Sequence, residues 1–217
     1  VAGSEDLDEL IELLGTIGTV YEDYLNNPKA AFDAWYRALA HDVTRSSSRE
    51  KVDALAETCD CWAELVEKLS ALQTELSSDT EAAIIVAKHM AQIYEEKLNE
   101  PEKAIEALRS VYELDSNDLE AIQGLDRLYE VLQKWQDLAD ILHTEIDIAE
   151  DDDARLNSYY RLGAVQEMYL ENYEEAVNCY NEMHLIVPGQ PEAIESLIRI
   201  FSAGHCCAAI AEILEAH

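Results

Sequence analysis

Residues 94–108, YEEKLNEPEKAIEAL, have helix-forming sequence on both sides of Pro101. A proline inside a helix costs about 3 kcal/mol, because it removes a hydrogen bond and clashes with the preceding turn. Residues 21–35, YEDYLNNPKAAFDAW, carry the same interruption 73 residues earlier, with seven identities in fifteen positions. The chain therefore repeats a helix, a turn and a second helix that begins at the proline, where the missing N–H costs little.

The same repeat continues along the rest of the chain. Trp62 aligns with Trp135 at the offset of 73, and a further offset of 72 aligns Ala104 with Ala176, where Tyr173 replaces the proline. A two-helix unit of about half this period is typical of helical solenoids. We therefore expect one solenoid of three supra-repeats, residues 1–77, 78–151 and 152–217. Their helices are predicted near 5–25, 29–41, 47–59 and 62–76, near 80–98, 102–114, 118–132 and 135–149, and near 153–170, 173–186, 191–203 and 206–216.

The composition favours an all-α globular chain. Only seven glycines and four prolines occur in 217 residues, too few for a protein that is built on many β-turns. No apolar run approaches the roughly 18 residues of a membrane span. The net charge of −31 repels nucleic-acid phosphates and anionic lipids, and it attracts basic partners. The alternative interpretation is that the acidic surface serves solubility alone.

Motifs within residues 80–203 resemble the tetratricopeptide repeat. The clearest copy consists of Arg161-Leu-Gly163, Tyr173-Glu-Glu-Ala176, Tyr180 and Pro188. This order is similar to the Leu-Gly, Tyr, Ala, aromatic and Pro pattern of that family. A more divergent copy consists of Leu125, Tyr129, Trp135 and Leu138. The resemblance implies a right-handed α-α superhelix of about six hairpins, which stack because one hairpin cannot bury its apolar face alone.

Small residues recur where the two helices of each hairpin are expected to cross. They are Gly18, Ala91 and Gly163 in the first helix, and Ala31, Ala104 and Ala176 in the second. Small side chains let two antiparallel helices approach closely, and larger neighbours then fill the hairpin core.

The resemblance also implies that a peptide or a partner protein binds on the concave face, which the first helix of each hairpin lines. The inward positions, transferred from the family, are Lys88, Gln92, Glu95, Gln123, Arg127, Glu130, Tyr160, Glu167, Glu195 and Arg199. Arg127 and Arg199 occupy equivalent positions, and two bases at matching places could clamp a peptide carboxylate. The alternative is that each makes an ordinary ion pair with an acid of the same chain.

The sequence contains no pattern typical of catalysis or metal binding, so we assign no catalytic residue, metal ligand or cofactor. Cys59-Asp-Cys61 and His205-Cys206-Cys207 both lack the further ligands that a zinc site requires. Cys59 and Cys207 align with apolar residues of the neighbouring copy, which favours a role as small buried hydrophobes. The five cysteines show no disulfide spacing, so a reducing, cytoplasmic location is expected.

The leading functional hypothesis is a non-enzymatic protein–protein interaction scaffold. A second is a regulatory or substrate-recruiting module of a larger multidomain enzyme or signalling protein. The chain begins without Met and ends inside an apolar pattern, as a fragment of a longer protein would. A third is a nucleic-acid mimic that presents its acidic surface to a DNA-binding protein. Exposed apolar hairpin ends make self-association a further alternative.

Overall fold

The computed structural model describes residues 2–204, with side chains from residue 6 onward, and this part of the chain contains eleven α-helices and no strand. The helices are α1 Ala2–Thr19, α2 Pro28–His41, α3 Ser46–Cys59, α4 Trp62–Glu75, α5 Thr80–Glu96, α6 Pro101–Leu114, α7 Leu119–Val131, α8 Trp135–Ile148, α9 Asp152–Met168, α10 Tyr173–Ile186 and α11 Pro191–Ser202. The prediction of an all-α helical repeat is confirmed.

The predicted helix bounds agree with α2 to α11 within two residues at either end. The first predicted helix, 5–25, corresponds to α1 and a π-helical turn, Val20–Tyr24, that continues it. This turn is wider than an α-helical one, and the N–H of Leu25 donates to the carbonyl of Val20 at 3.1 Å. The predicted helix 206–216, together with His205, Cys206 and Cys207, lies outside the described residues.

The three proline-type turns share one backbone geometry. Asn26, Asn99 and Glu171 stand at equivalent positions and have φ angles of 46°, 54° and 53°. In each turn the next N–H donates to a carbonyl six residues back, at 2.8 Å in every copy, so a left-handed residue and one hydrogen bond close each helix end. The second helix then begins at Pro28, at Pro101 or at the equivalent residue of the third copy. The turn predicted from the repeated proline is therefore confirmed.

The helices of two hairpins cross at a glycine. A Cβ atom on Gly163 would lie 2.7 Å from Cε1 of Tyr180, and one on Gly18 would lie 2.4 Å from Nε1 of Trp35. The aromatic ring thus fills the space that any larger residue would need. The close helix approach predicted at Gly18 and Gly163 is therefore present, and the equivalent Ala91 is buried.

Aspartates fix the starts of three of the four first helices that carry the predicted binding residues. Asp79, Asp118 and Asp151 precede α5, α7 and α9. Each side chain accepts a hydrogen bond from the N–H three residues further on, at 3.1, 2.9 and 2.7 Å respectively. This capping satisfies a helix N–H that otherwise has no partner in the helix, and the carboxylate complements the positive end of the helix dipole.

The chain divides into two compact units, an N-terminal unit up to Ala121 and a C-terminal unit from Ile122. In the N-terminal unit, α1 packs on α2, α2 on α3, α4 on α5, and α5 on α6. In the C-terminal unit, α8 packs on α9, α9 on α10, and α10 on α11. Each unit buries its own apolar core, with large side chains that include Phe32, Leu65 and Leu69 in one and Leu138, Tyr180 and Ile200 in the other. The single solenoid of three supra-repeats stays a prediction.

Candidate functional site

One of the predicted binding residues of α5, Lys88, forms ion pairs with two carboxylates of the N-terminal unit. Lys88 Nζ lies 2.7 Å from Asp118 Oδ2 and 2.9 Å from Glu120 Oε2. Burial acts to lower the pKa of Lys88, but its bonds with the two carboxylates outweigh burial and raise that pKa. Gln92 is exposed and Glu95 is half-buried. Lys88 therefore ties α5 to the start of α7, and Gln92 faces solvent.

A cleft of about 350 Å³ opens between α3 and α5, beside the first residue of α4. The predicted residue Gln92 is part of its lining. The charged groups around the cleft are Asp53, Glu57, Glu96 and Lys97, and its aromatic and apolar surface includes Trp62 and Ile93. Three carboxylates against one ammonium give the cleft a negative potential that attracts cations.

One wall of the cleft is a histidine held by an aspartate. His89 is 5% exposed, and its Nε2 lies 2.8 Å from Asp53 Oδ1. An ionised carboxylate can only accept a hydrogen bond, so Nε2 carries the proton and donates it. The pair joins α3 to α5 and fixes the imidazole in the wall.

The opposite rim already binds a cation of the chain itself. Trp62 Nε1 donates to Glu57 Oε2 at 3.0 Å. Lys97 Nζ lies 3.4 Å from the same carboxylate oxygen and 5.1 Å from the centroid of the Trp62 ring. An ammonium over an indole face and beside a carboxylate gains from both interactions. This rim can therefore bind a basic side chain.

On the part of α7 that belongs to the C-terminal unit, from Ile122 onward, Gln123, Arg127 and Glu130 are exposed. Arg161 of α9 donates to Asp126 through both of its terminal nitrogens, each at 2.8 Å. It also donates to Glu130 at 2.9 Å. These bonds with Asp126 raise the pKa of Arg161. The planar guanidinium thus ties α7 to α9, and it engages one predicted binding residue, Glu130.

Two other predicted residues are bound to each other. Arg199 Nε lies 2.6 Å from Glu167 Oε1, and its Nη2 lies 2.7 Å from Oε2. Tyr180 donates its hydroxyl to the same carboxylate at 3.1 Å. These contacts are the ion pair within the chain that the alternative interpretation of Arg199 describes. A peptide carboxylate would have to compete with Glu167 for Arg199, and the clamp formed with Arg127 stays a prediction.

The last two predicted residues lie on separate parts of the C-terminal unit. Tyr160 is 42% exposed and lines a second cleft of about 370 Å³, with Leu156 and Met183 at its apolar side. Glu195 is exposed on α11. The predicted set therefore includes Gln92 in one cleft, Tyr160 in another, and the bound pair of Glu167 and Arg199.

Of the residues that line the cleft between α3 and α5, only Gln92 belongs to the set predicted from the sequence. Asp53, Trp62, His89 and Lys97 do not belong to it. Asp53 and His89 stand 36 residues apart, which is half a supra-repeat and therefore the spacing of equivalent positions in successive first helices. That spacing places the two residues at matching positions of successive first helices, but it does not by itself pair their side chains.

The described residues contain no group of three or more His, Cys, Asp or Glu side chains placed to hold a metal ion. None of the described helices is long and apolar enough to cross a membrane. Cys59 and Cys61 are half-buried free thiols, and Cys179 is a buried one. Burial raises the pKa of the Cys179 thiol to about 12, so this side chain stays protonated and acts as a small hydrophobe.

No family model matches the chain, and no curated protein matches it either. Among solved structures it is similar to a tetratricopeptide repeat protein from Parabacteroides merdae, at 18% identity and a TM-score of 0.45 over 95% of this chain and 78% of that one. It is similar to pilF of Pseudomonas aeruginosa at 15% identity and a TM-score of 0.44, over 87% of this chain and 82% of that one. It is also similar to YrrB, a TPR protein with an unusual peptide-binding site, at 16% identity and a TM-score of 0.40, over 84% and 89% of the two chains. Tetratricopeptide repeat proteins are thus among the structures that the chain is similar to.

Proposed function

We propose that the chain is a non-enzymatic protein-binding module, which accepts a peptide or a segment of a partner protein on the first helices of its hairpins. The observation that carries this proposal is the cleft between α3 and α5. It combines an exposed amide, Gln92, with an aromatic and apolar wall and several carboxylates. A concave surface that is mostly apolar, with a few polar groups to fix orientation, is typical of a ligand-binding site.

The charge of the cleft favours a basic side chain of the partner. An incoming lysine or arginine can lay its apolar stem against Ile93 and Trp62, and place its charge near Glu57 and Glu96. Lys97 occupies part of this rim and moves aside or shares Glu57 when the ligand enters. The net charge of −31 adds long-range attraction, which raises the rate of encounter with a basic partner.

The C-terminal unit offers exposed side chains for further contacts. Gln123, Arg127 and Glu195 are exposed, and Tyr160 presents its ring at the second cleft. The ion pairs of Arg161 and Arg199 hold the helices that carry these residues, so that the exposed groups stand on a rigid support.

Charge reversal at the rim of the cleft tests the proposal. An array of synthetic 12-residue peptides, with and without Lys or Arg, first identifies a binding peptide for the folded chain. Fluorescence anisotropy then compares wild type with Glu96→Lys and with the matched control Glu113→Lys, an exposed residue of α6. We expect Glu96→Lys to weaken binding about tenfold or more and Glu113→Lys to change it about twofold or less. Equal losses in both variants would mean that only net charge matters, and no loss in either would remove the cleft from the binding site.

A further inference from the structure

The first helix and the turn that follows it carry a row of exposed apolar side chains. We define the α1 stripe as Leu10, Leu13, Ile17, Val20 and Tyr24. Their spacing of three and four residues places them on one face of the helix. Leu13 is 56% exposed, Val20 is 41% exposed and Tyr24 is 81% exposed. The neighbouring face, with Ile11 and Leu14, is buried in the hairpin core.

The equivalent face of the later first helices is covered. The residues of α5 that lie 73 positions after the first four members of the stripe are Ala83, Val86, Met90 and Ile93, and all four are buried. In α9, the residues that lie 145 positions after Leu13, Ile17 and Val20 are Ser158, Leu162 and Val165, and all three are buried. The covering element is α4 in the first case and α8 in the second, each packed on the helix that follows it. The α1 stripe therefore has the geometry of a face that receives a helix.

Tyr24, the last residue of the α1 stripe, indicates the direction of the docked helix and the type of its first residue. Tyr24 is equivalent to Lys97 and Tyr169. Lys97 lies over Trp62, the first residue of α4, and Tyr169 stacks on Trp135, the first residue of α8. In both cases the start of the covering helix meets the end of the covered one, so the two helices run antiparallel. An aromatic residue at the start of a docked helix would occupy the same place over Tyr24.

The charges beside the stripe favour a basic helix over a second copy of this chain. Asp6, Glu9 and Glu12 are exposed on α1, and the first 28 residues contain no Lys or Arg. Two copies that met through this face would bring these acids together, on molecules that each carry a net charge of −31. Like charges at an interface disfavour association, whereas Lys or Arg opposite them favours it.

We propose that the α1 stripe binds an amphipathic helix of a partner protein. The helix runs antiparallel to α1, begins with tryptophan or another aromatic residue over Tyr24, and continues with apolar residues at a spacing of three and four. Lys or Arg in its last turns faces Asp6 and Glu9. This surface shares no residue with the cleft between α3 and α5, so the proposal does not rest on the function proposed above.

A synthetic helix tests the proposal with the complete chain. The probe is a fluorescent peptide with the sequence of α4, WAELVEKLSALQTE, that carries the changes Gln73→Lys and Glu75→Lys. We expect saturable binding to wild type, and binding at least about tenfold weaker to the double variant Leu13→Glu with Ile17→Glu. The matched control is Leu185→Glu, an apolar residue of α10 that is 71% exposed, and it should bind like wild type. Circular dichroism confirms that all three chains are equally helical.

Three results would overturn the proposal. They are the absence of saturable binding to wild type, equal binding to wild type and to the double variant, and a dimer in sedimentation velocity that the double variant abolishes. The last result would identify a second copy of the chain as the occupant. Glu96→Lys should leave binding of the probe unchanged, so a failure of this proposal is distinguishable from a failure of the cleft.

Discussion

Tyr169 stacks on Trp135, with ring centroids 3.7 Å apart and planes 11° from parallel. The contact joins the start of α8 to the residue that follows α9. At the equivalent junction, one supra-repeat earlier, Lys97 lies over Trp62 at 5.1 Å. The tryptophan is therefore kept, and its partner changes from an aromatic ring to a cation, both of which an indole face attracts.

Removal of the tryptophan should weaken the junction between α8 and α9. We expect Trp135→Ala to lower the free energy of unfolding by roughly 2–3 kcal/mol, because the half-buried ring loses its packing and its stack. Trp135→Phe keeps a ring and should cost less. Urea unfolding of these variants, of Tyr169→Ala and of the double alanine variant gives the coupling between the rings, which we expect to be about 0.5–1.5 kcal/mol. Additive losses would show that the stack contributes nothing beyond burial.

The close approach at Gly163 makes a second prediction. Alanine is the better helix former by about 1 kcal/mol, yet its Cβ would lie 2.7 Å from Cε1 of Tyr180. We therefore expect Gly163→Ala to destabilise the protein by about 1–3 kcal/mol through overpacking, as measured by thermal unfolding. In a Tyr180→Leu background the cost should shrink, because leucine does not reach as far. An equal cost in both backgrounds would contradict the clash.

The left-handed turn at Glu171 leads to a third prediction, on the stability of a glycine variant. A non-glycine residue with φ of 53° is strained by about 1–2 kcal/mol, whereas glycine adopts this conformation freely. After the greater entropy of glycine in the unfolded chain is subtracted, Glu171→Gly should stabilise the protein by roughly 0.5–1 kcal/mol. Glu174→Gly is the control, since the residue lies in the first turn of α10 and should lose stability on replacement. Chemical denaturation measures both changes in the free energy of unfolding, which we expect to rise in Glu171→Gly and to fall in Glu174→Gly.

A half-buried carboxylate in α8, that of Glu145, makes the protein sensitive to pH. Burial raises the pKa of Glu145 above its ordinary value of 4.5, and the nearby charge of Asp126 adds to the shift. The folded state therefore holds this proton more tightly than the unfolded state. The stabilisation is present below the ordinary pKa and is lost as the pH rises through the raised value.

The variant Glu145→Gln removes that dependence, because the amide stays neutral. Its oxygen can still accept the hydrogen bond that Ser158 Oγ donates to Glu145 at 3.0 Å. We expect the variant to melt at a higher temperature than wild type at pH 7.5 and at about the same temperature at pH 4. Melting curves that differ equally at both pH values would show that the effect is packing and not ionisation.

The helices and turns of the described residues follow from the sequence because their signals are local and repeated. Pro101 at a first helical position, Asn99 in a left-handed turn and Asp118 as a cap each act within a few residues. The proline and the asparagine signals each occur twice in the sequence, 73 residues apart. The π-helical turn at Val20–Tyr24 does not follow from the sequence, because its residues have the pattern of an ordinary helix.

The contacts of the candidate site were less predictable, because they depend on how one first helix lies against the next. Alignment makes Arg199 equivalent to Arg127, but it does not place Glu167 beside Arg199 at 2.6 Å. The pairing of His89 with Asp53 is of the same kind. Glu167 and Arg199 lie 32 residues apart in the sequence, and Asp53 and His89 lie 36 residues apart. Only the packing of the helices decides which oxygen of one side chain lies beside which nitrogen of the other.

The three left-handed turns also bear on how the protein is made. Each is closed by a hydrogen bond that spans six residues, so bringing the two helices of a hairpin together costs little loop entropy. Hairpins of this kind depend on contacts that are close in sequence, which is the property of chains that fold fast. As synthesis proceeds from the N-terminus, each hairpin can form while the residues after its second helix are still within the ribosome.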